Sequence, residues 1–236
     1  MIDNIKFIRS ESIKLDIHIF NPKQEISFVQ RCLPHWSQSG TISFVTWRTW
    51  DSIPEDILQA WIAGRDAWLG RHGIDPSATD ISFRLKMLAP KLVMEFHRLV
   101  SGRWNEHLDA GHGACVLRQP QLSKIVADSL QHFDGVRYEL TDYVIMPNHV
   151  HIMAAFPCEG EGSMLSQCES WKRFTAVRIN RVLNRKGRFW QQDSFDHLVR
   201  SERQFEYLRR YIAANPRKAG LRDGEYFHKS KLISPL

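Results

Sequence analysis

The chain has 236 residues, 43% of them hydrophobic and 25% charged, the make-up of a globular domain with small appendages and not of a disordered or fibrous chain. Its formal charge of +6 and pI of about 9.2 favour a polyanionic partner, nucleic acid first, without saying where the charge sits. No apolar run is long enough to span a bilayer, the opening Met1–Phe20 stretch interleaves charge with apolar side chains unlike a secretory signal, and the four cysteines (Cys32, Cys115, Cys158, Cys168) form no close C-x-x-C pair; membrane and structural-zinc classes are disfavoured and a reduced, cytoplasmic setting is expected.

Residues 1–34 carry no strong pattern and read as an N-terminal arm, 35–222 as a single domain, and 223–236 as a C-terminal tail. Thr41–Arg48 alternates and is rich in β-branched and aromatic residues, which predicts a strand. Pro54 and the acids Glu55 and Asp56 open a helix through Leu58, Trp61, Ile62 and Trp68. After a turn-rich stretch, a helical pattern runs from about Arg84 to Leu108, with Pro90 starting, kinking or dividing it. Gly111–Gly113 is a break, and Ala114–Leu117 reads as a short strand or extended piece. A helix follows over Gln121–Phe133, ended by Asp134–Gly135. Two strands fill Arg137–Phe156, interrupted at Pro147. Leu165–Asn184 is helical, Phe189–Val199 extended, and Glu202 to about Asn215 helical, stopping before Pro216. This order is no regular βαβα alternation, and it predicts an α+β fold: an antiparallel sheet with helices packed on it.

Charge is clustered. Between Trp171 and Trp190 stand Lys172, Arg173, Arg178, Arg181, Arg185, Lys186 and Arg188, with no Asp or Glu. An ordinary solvated helix face alternates sign to gain i,i+4 pairs; this one cannot, which favours a phosphate-facing surface. The interleaved Trp171, Phe174, Phe189 and Trp190 offer base stacking, or core packing, the more so for Phe174. In Met146–Pro147–Asn148–His149–Val150–His151, residues two apart share a strand face. His149 and His151 therefore project together while Val150, Ile152, Ala154 and Phe156 face the other way. Two adjacent imidazoles can bind one divalent ion, although H-x-H also occurs simply as two histidines on a half-exposed strand. In the last helix, Tyr207, Tyr211 and Asn215 are spaced by four and stripe one face, as chemistry or as two tyrosines at a core edge with Asn215 as a cap.

Taken together these segments resemble the single-tyrosine HUH transposases, and within them the REP-associated tyrosine transposases. The resemblance rests on His35–Trp36 with the Thr41–Arg48 strand; Leu108–Cys115; His132–Gly135; Met146–His151; Ser170–Lys172 with Phe174; Phe189–Gln191 with Ser194–His197; and Arg210–Ile212 with Asn215–Pro216 and Lys218–Leu221. It implies a ferredoxin-like antiparallel sheet with the His pair on a central strand. It also implies His149 and His151 as metal ligands and Tyr211 as a covalent nucleophile. Asn215 stands as third ligand where the family often has Gln. Tyr207 is a helper or decoy, and Asp196 and His197 are candidates for the tyrosine's proton. The implied partner is single-stranded DNA forming hairpins, in a bacterial, nucleoid-associated cytoplasmic setting, with the protein a monomer or homodimer.

The implied reaction is attack of Tyr211 on a phosphodiester, giving a 5′-phosphotyrosine and a free 3′-hydroxyl. Two imidazoles and an amide oxygen suit Mn²⁺ better than Mg²⁺, which abundance favours in cells. Three rival readings share some of these residues. A non-catalytic single-stranded DNA or RNA hairpin-binding protein needs the basic segment but not the His pair with Tyr211. A zinc hydrolase needs a third His, Asp or Glu. A replication-initiating or conjugative HUH nuclease shares the chemistry in another pathway.

Overall fold

The computed structural model describes residues 15–30, 34–78, 80–96, 99, 111–160, 162–192 and 194–231. Cys32, the end of the helical pattern toward Leu108, and Leu108–Ala110 lie outside them. Seven strands are described: β1 Ser27–Gln30, β2 Pro34–Ser37, β3 Ile42–Arg48, β4 Glu139–Ile145, β5 His149–Ala155, β6 Phe195–Leu198 and β7 Phe227–Ser230. Strands β1 and β2 pair as a hairpin. The other five form one antiparallel sheet in the order β6-β3-β5-β4-β7. Strand β1 falls within the arm expected over 1–34 and β7 within the tail expected from 223.

The helices are α1 Glu55–Arg71, α2 Ile81–Lys86, α3 Pro120–Gln131, α4 Met164–Val182 and α5 Glu202–Lys218. The fold is α+β, as expected, and β5, which carries the His pair, is its central strand. Every residue of β3 and β5 is buried, so neither face is solvated and the alternation sorts residues between two cores. Val45, Trp47, Val150, Ile152 and Ala154 pack with Leu122, Val126 and Leu130 of α3 and Trp171 and Ile179 of α4. Ile42, Phe44, Met153 and Ala155 pack on the opposite face with Phe205, Leu208 and Ile212 of α5. A third, separate core joins Trp68 and Leu69 of α1 to Leu85 of α2 and Phe96.

Local chemistry explains where the elements differ from expectation. The Ala114–Leu117 piece is no strand: Cys115 takes φ 48° and a 3₁₀ turn follows over Val116–Arg118. Helix α5 does not stop before Pro216 but runs through it to Lys218. The proline removes one intrahelical donor, yet it is buried itself, Leu208 and Ile212 anchor the turns before it, and Ala219 N–H still reaches Asn215 C=O at 3.0 Å. At the other end Ser201 caps the helix, its hydroxyl accepting from Gln204 N–H at 3.1 Å, which satisfies one orphan donor. Pro90 divides the predicted Arg84–Leu108 helix: α2 ends at Lys86 and helix resumes over 90–96.

Candidate active site

His149 and His151 emerge from β5 on the α5 side and both are fully buried. Their Nε2 atoms are 3.0 Å apart. Each ring is held from behind. Asn148 donates its amide N–H to His112 C=O at 3.0 Å, which turns its Oδ1 toward His149 Nδ1 at 2.8 Å. Nδ1 therefore carries the proton and His149 Nε2 presents a lone pair. Thr46, the cross-strand partner of His151, places its hydroxyl 2.7 Å from His151 Nδ1. Burial drives both imidazoles toward the neutral form, His149 down to about 3 and His151 well below its ordinary range.

This arrangement has two balanced states. If the Thr46 hydroxyl donates to Nδ1, His151 bears its proton on Nε2 and bonds to His149. If the hydroxyl accepts, both Nε2 lone pairs converge, and a cation on the two removes their repulsion. The donor set therefore fits a divalent ion. Among the described residues no group of three or more His, Cys, Asp or Glu is placed to hold a metal, so a third donor has to be of another type. Asn215 is the residue expected in that role. It is wholly buried and neither amide atom has a hydrogen-bond partner among the described residues.

Tyr211 packs beside the pair. Its hydroxyl is 3.5 Å from His151 Nε2 and its ring meets His151 edge-on at 5.2 Å. Phe44 stacks on His151 at 5.4 Å and touches Tyr211 and His197. Lys218, about two turns further on, sets its ammonium 5.3 Å from the Tyr211 ring. Asn215 follows Tyr211 by one turn, about 6 Å along the axis. Burial also depresses Arg48, the cross-strand partner of His149, to about 10; this guanidinium on the site's face was read in the sequence only as the end of a strand.

The structure does not bring every expected residue here. Tyr207 is 65% exposed, because each residue turns the helix by about 100° and Tyr207 stands that far round from sheet-facing Leu208. Asp196 pairs with Val45, hence faces the α4 side, where it bonds the buried His35. His197 pairs with Phe44 and does face the site; burial holds it at about 4. The basic residues of α4 lie across the sheet from the His pair, since α4 covers the Val150 and Ile152 face. Arg173, Arg178, Arg181, Arg185, Lys186 and Arg188 are exposed and Lys172 half-buried. Of the aromatics offered for stacking, Trp171, Phe189 and Trp190 are core residues, while Phe174, assigned to the core, is 50% exposed.

Sequence reading also missed what the Gly111–Cys115 break does. Gly113 adopts φ 87°, and a Cβ there would fall 2.5 Å from Asp51 C=O. Ala114 N–H then donates to the Asp51 carboxylate at 2.8 Å. The loop so fixed presents the His112 carbonyl that orients Asn148. A glycine demanding left-handed backbone is the signal that could have found it.

The fold and site thus define an α+β protein with a buried imidazole pair on the central strand and a helical tyrosine against it. No family model matches the chain, and no curated protein matches it. A solved structure of a REP-associated tyrosine transposase bound to a REP hairpin is similar at 14% identity and a TM-score of 0.40, over 79% of this chain and 72% of that one. At so low an identity and TM-score the likeness says nothing of what this chain does. Among the described residues no helix is long and apolar enough to cross a membrane.

Proposed function

We propose that the protein is a DNA strand-cutting and strand-joining enzyme of the tyrosine transposase type, acting on single-stranded DNA beside hairpins. The observation that carries this reading is the Tyr211 hydroxyl 3.5 Å from His151 Nε2, which is itself 3.0 Å from His149 Nε2. A nucleophile and a divalent-ion donor set rarely meet in a protein core without chemistry to perform.

In this reading His149, His151 and Asn215 would hold Mg²⁺ or Mn²⁺, which would supply Lewis-acid neutralisation of a phosphodiester oxygen. The Tyr211 oxygen forms a bond to phosphorus as the bond from phosphorus to the 3′-oxygen breaks. The tyrosine gives up its proton, the leaving 3′-oxygen gains one, and a 5′-phosphotyrosine remains. One phosphoester replaces another, so a second 3′-hydroxyl can reverse the step and join strands without an energy source. As a metal ligand His151 would not be free to take the tyrosine's proton. Of the two expected candidates for that proton, His197 lies on the face of the site and Asp196 on the other. Lys218 adds positive charge beside the Tyr211 ring. The fixed Asn148 and Thr46 contacts keep both rings aimed without reorganisation during reaction.

The test is incubation with a single-stranded hairpin oligonucleotide and Mn²⁺, followed by denaturing electrophoresis. A protein–DNA species that survives denaturation and disappears in chelator is expected. Intact DNA and no adduct with every divalent ion tried would sink the reading.

A further inference from the structure

We infer that Trp50 and Arg188 form a nucleobase-stacking platform at the rim of a basic cleft, and that single-stranded nucleic acid enters the protein there; this rests on the proposed reaction for its biological sense but not for its geometry. Trp50 is 47% exposed, yet it is not loosely held. Its N–H donates to Phe189 C=O at 2.8 Å, its C=O accepts from the Gln191 side chain at 2.9 Å, and Thr49 bridges Trp190. The Arg188 guanidinium lies 4.4 Å from the centre of its ring. An exposed indole kept in place by its backbone offers contact area at little entropic cost. With a guanidinium already on one side, the pair presents the surfaces on which bases stack.

Arg188 belongs also to a cleft of about 670 Å³ between α4 and the 187–192 segment, a size common among ligand sites. Among the described residues, Arg137, Lys172 and Arg173 line it with Arg188, and Glu169 is the one carboxylate. Lys172 donates to Gln192 C=O at 2.6 Å, tying the two walls together. A surface that combines several cations with an adjoining fixed aromatic selects phosphate and base together, as in a nucleic-acid strand.

The platform also lies on the way to the candidate active site. Trp50 follows Arg48 by two residues, about 7 Å of extended chain, and Arg48 is the cross-strand partner of His149. Thr49 N–H donates to Asn148 C=O at 2.8 Å. The Trp50 loop therefore turns the edge of the sheet from the α4 side, where the cleft is, to the end of β5 where the His pair begins. A strand lying in the cleft would pass Trp50 toward the end of β5 at which the His pair begins.

The experiment measures binding of a labelled single-stranded oligonucleotide, without divalent ion, to the Tyr211→Phe protein and to the same protein carrying Trp50→Ala, Trp50→Phe or Arg188→Gln. Trp50→Ala should weaken binding about tenfold or more, as loss of a base stack does, with the salt dependence kept. Trp50→Phe should restore most of it. Arg188→Gln should lower the log–log salt slope by about 0.7. An abasic site at one nucleotide should cost the parent protein affinity and cost Trp50→Ala almost none. Unchanged affinity in Trp50→Ala, or an acidic peptide competing as well as the oligonucleotide, overturns the platform. Adduct formation by the chain with Tyr211 intact is scored alongside. Loss of binding in Trp50→Ala with no adduct anywhere upholds the platform and sinks the proposed reaction, whereas adduct with unchanged binding does the reverse.

Discussion

Tyr211 and His151 stand 60 residues apart in the chain, and their side chains meet at 3.5 Å between hydroxyl and Nε2. The contact exists because α5 crosses the only face of β5 on which alternate residues are 149 and 151, and because Leu208 and Ile212 bracket Tyr211 with anchors in the same core. A tyrosine one position away on the helix would miss the imidazole.

That geometry separates the two tyrosines of the stripe. Tyr211→Phe removes one hydroxyl from a packed ring and should leave folding and DNA binding near the parent values, while adduct and cleavage fall to background. Tyr207→Phe, at a 65% exposed position, should keep both activities within about twofold, since surface changes away from special features have small effects. Adduct formation by Tyr211→Phe, checked on the same denaturing gel, would remove the assignment.

Asn215 predicts opposite signs for stability and function. A buried amide with unmade hydrogen bonds costs on the order of 1–3 kcal/mol, and Leu repeats the branched shape of Asn with two larger, apolar methyl groups. Asn215→Leu should therefore raise the melting temperature of the metal-free protein by several degrees. The further rise that Mn²⁺ gives the parent should shrink at the same time, and Asn215→Gln should retain part of it. Thermal melts with and without Mn²⁺ read both. Destabilisation by Leu with the Mn²⁺ effect intact would mean the amide is satisfied by a structural partner and is not a ligand.

The sequence made the β4–β5 hairpin and the shared face of the His pair legible, because a period of two needs only local order. It did not show how deeply that face is covered: a strand buried on both sides is recognised by what packs on it, and α5 lies fifty residues away. Helix α5 was cut short at Pro216 because local rules price the lost donor and not the buried packing that offsets it. The same limit hid the side of α4. Its periodicity marks Trp171, Thr175 and Ile179 as inward, but no helical pattern says which face of a sheet it will meet. Asp196 and His197, adjacent in sequence, went to opposite faces for the reason that His149 and His151 share one.

The buried imidazoles give an acid-sensitive fold. His149 falls to about 3 and His197 to about 4 from an ordinary value of 6.5. Between those values and 6.5 the unfolded chain binds more protons than the folded one, so stability is full above pH 6.5 and declines as pH falls toward 4. The contribution at stake is on the order of a few kcal/mol. His197→Gln, which cannot titrate, should flatten the dependence of melting temperature on pH between 6.5 and 4 while leaving the value at pH 7.5 within a few degrees. An equally steep decline in that variant, with metal absent, would place the acid sensitivity in other groups.

The position of α4 separates binding from chemistry. Its cations lie across the sheet from the His pair, so any strand they hold is held away from the scissile phosphate. Arg178 leans over exposed Phe174 at 5.6 Å and Arg185 over Phe189 at 5.7 Å, and Arg185 also donates to Arg188 C=O at 3.4 Å. Arg178 and Arg181 lie in α4 and Arg185 just past its end at Val182; replacing all three by Gln keeps helix propensity nearly constant at the two helical positions. If all three meet phosphates, the log–log dependence of single-strand affinity on salt should lose about 2 units, at roughly 0.7 per contact. Single-turnover adduct formation at saturating DNA should stay within about twofold, because none of the three reaches the reacting atoms. Affinity titrations from low to moderate salt on the triple variant and its parent, with adduct rates at saturation, measure both quantities. A folded triple variant with an unchanged salt slope would take this helix face out of the DNA path and leave the binding to the Arg188 cleft and the Arg217–Lys218 end of α5. A slope that falls together with the saturated rate would mean the strand cannot be seated at the His pair unless α4 holds it.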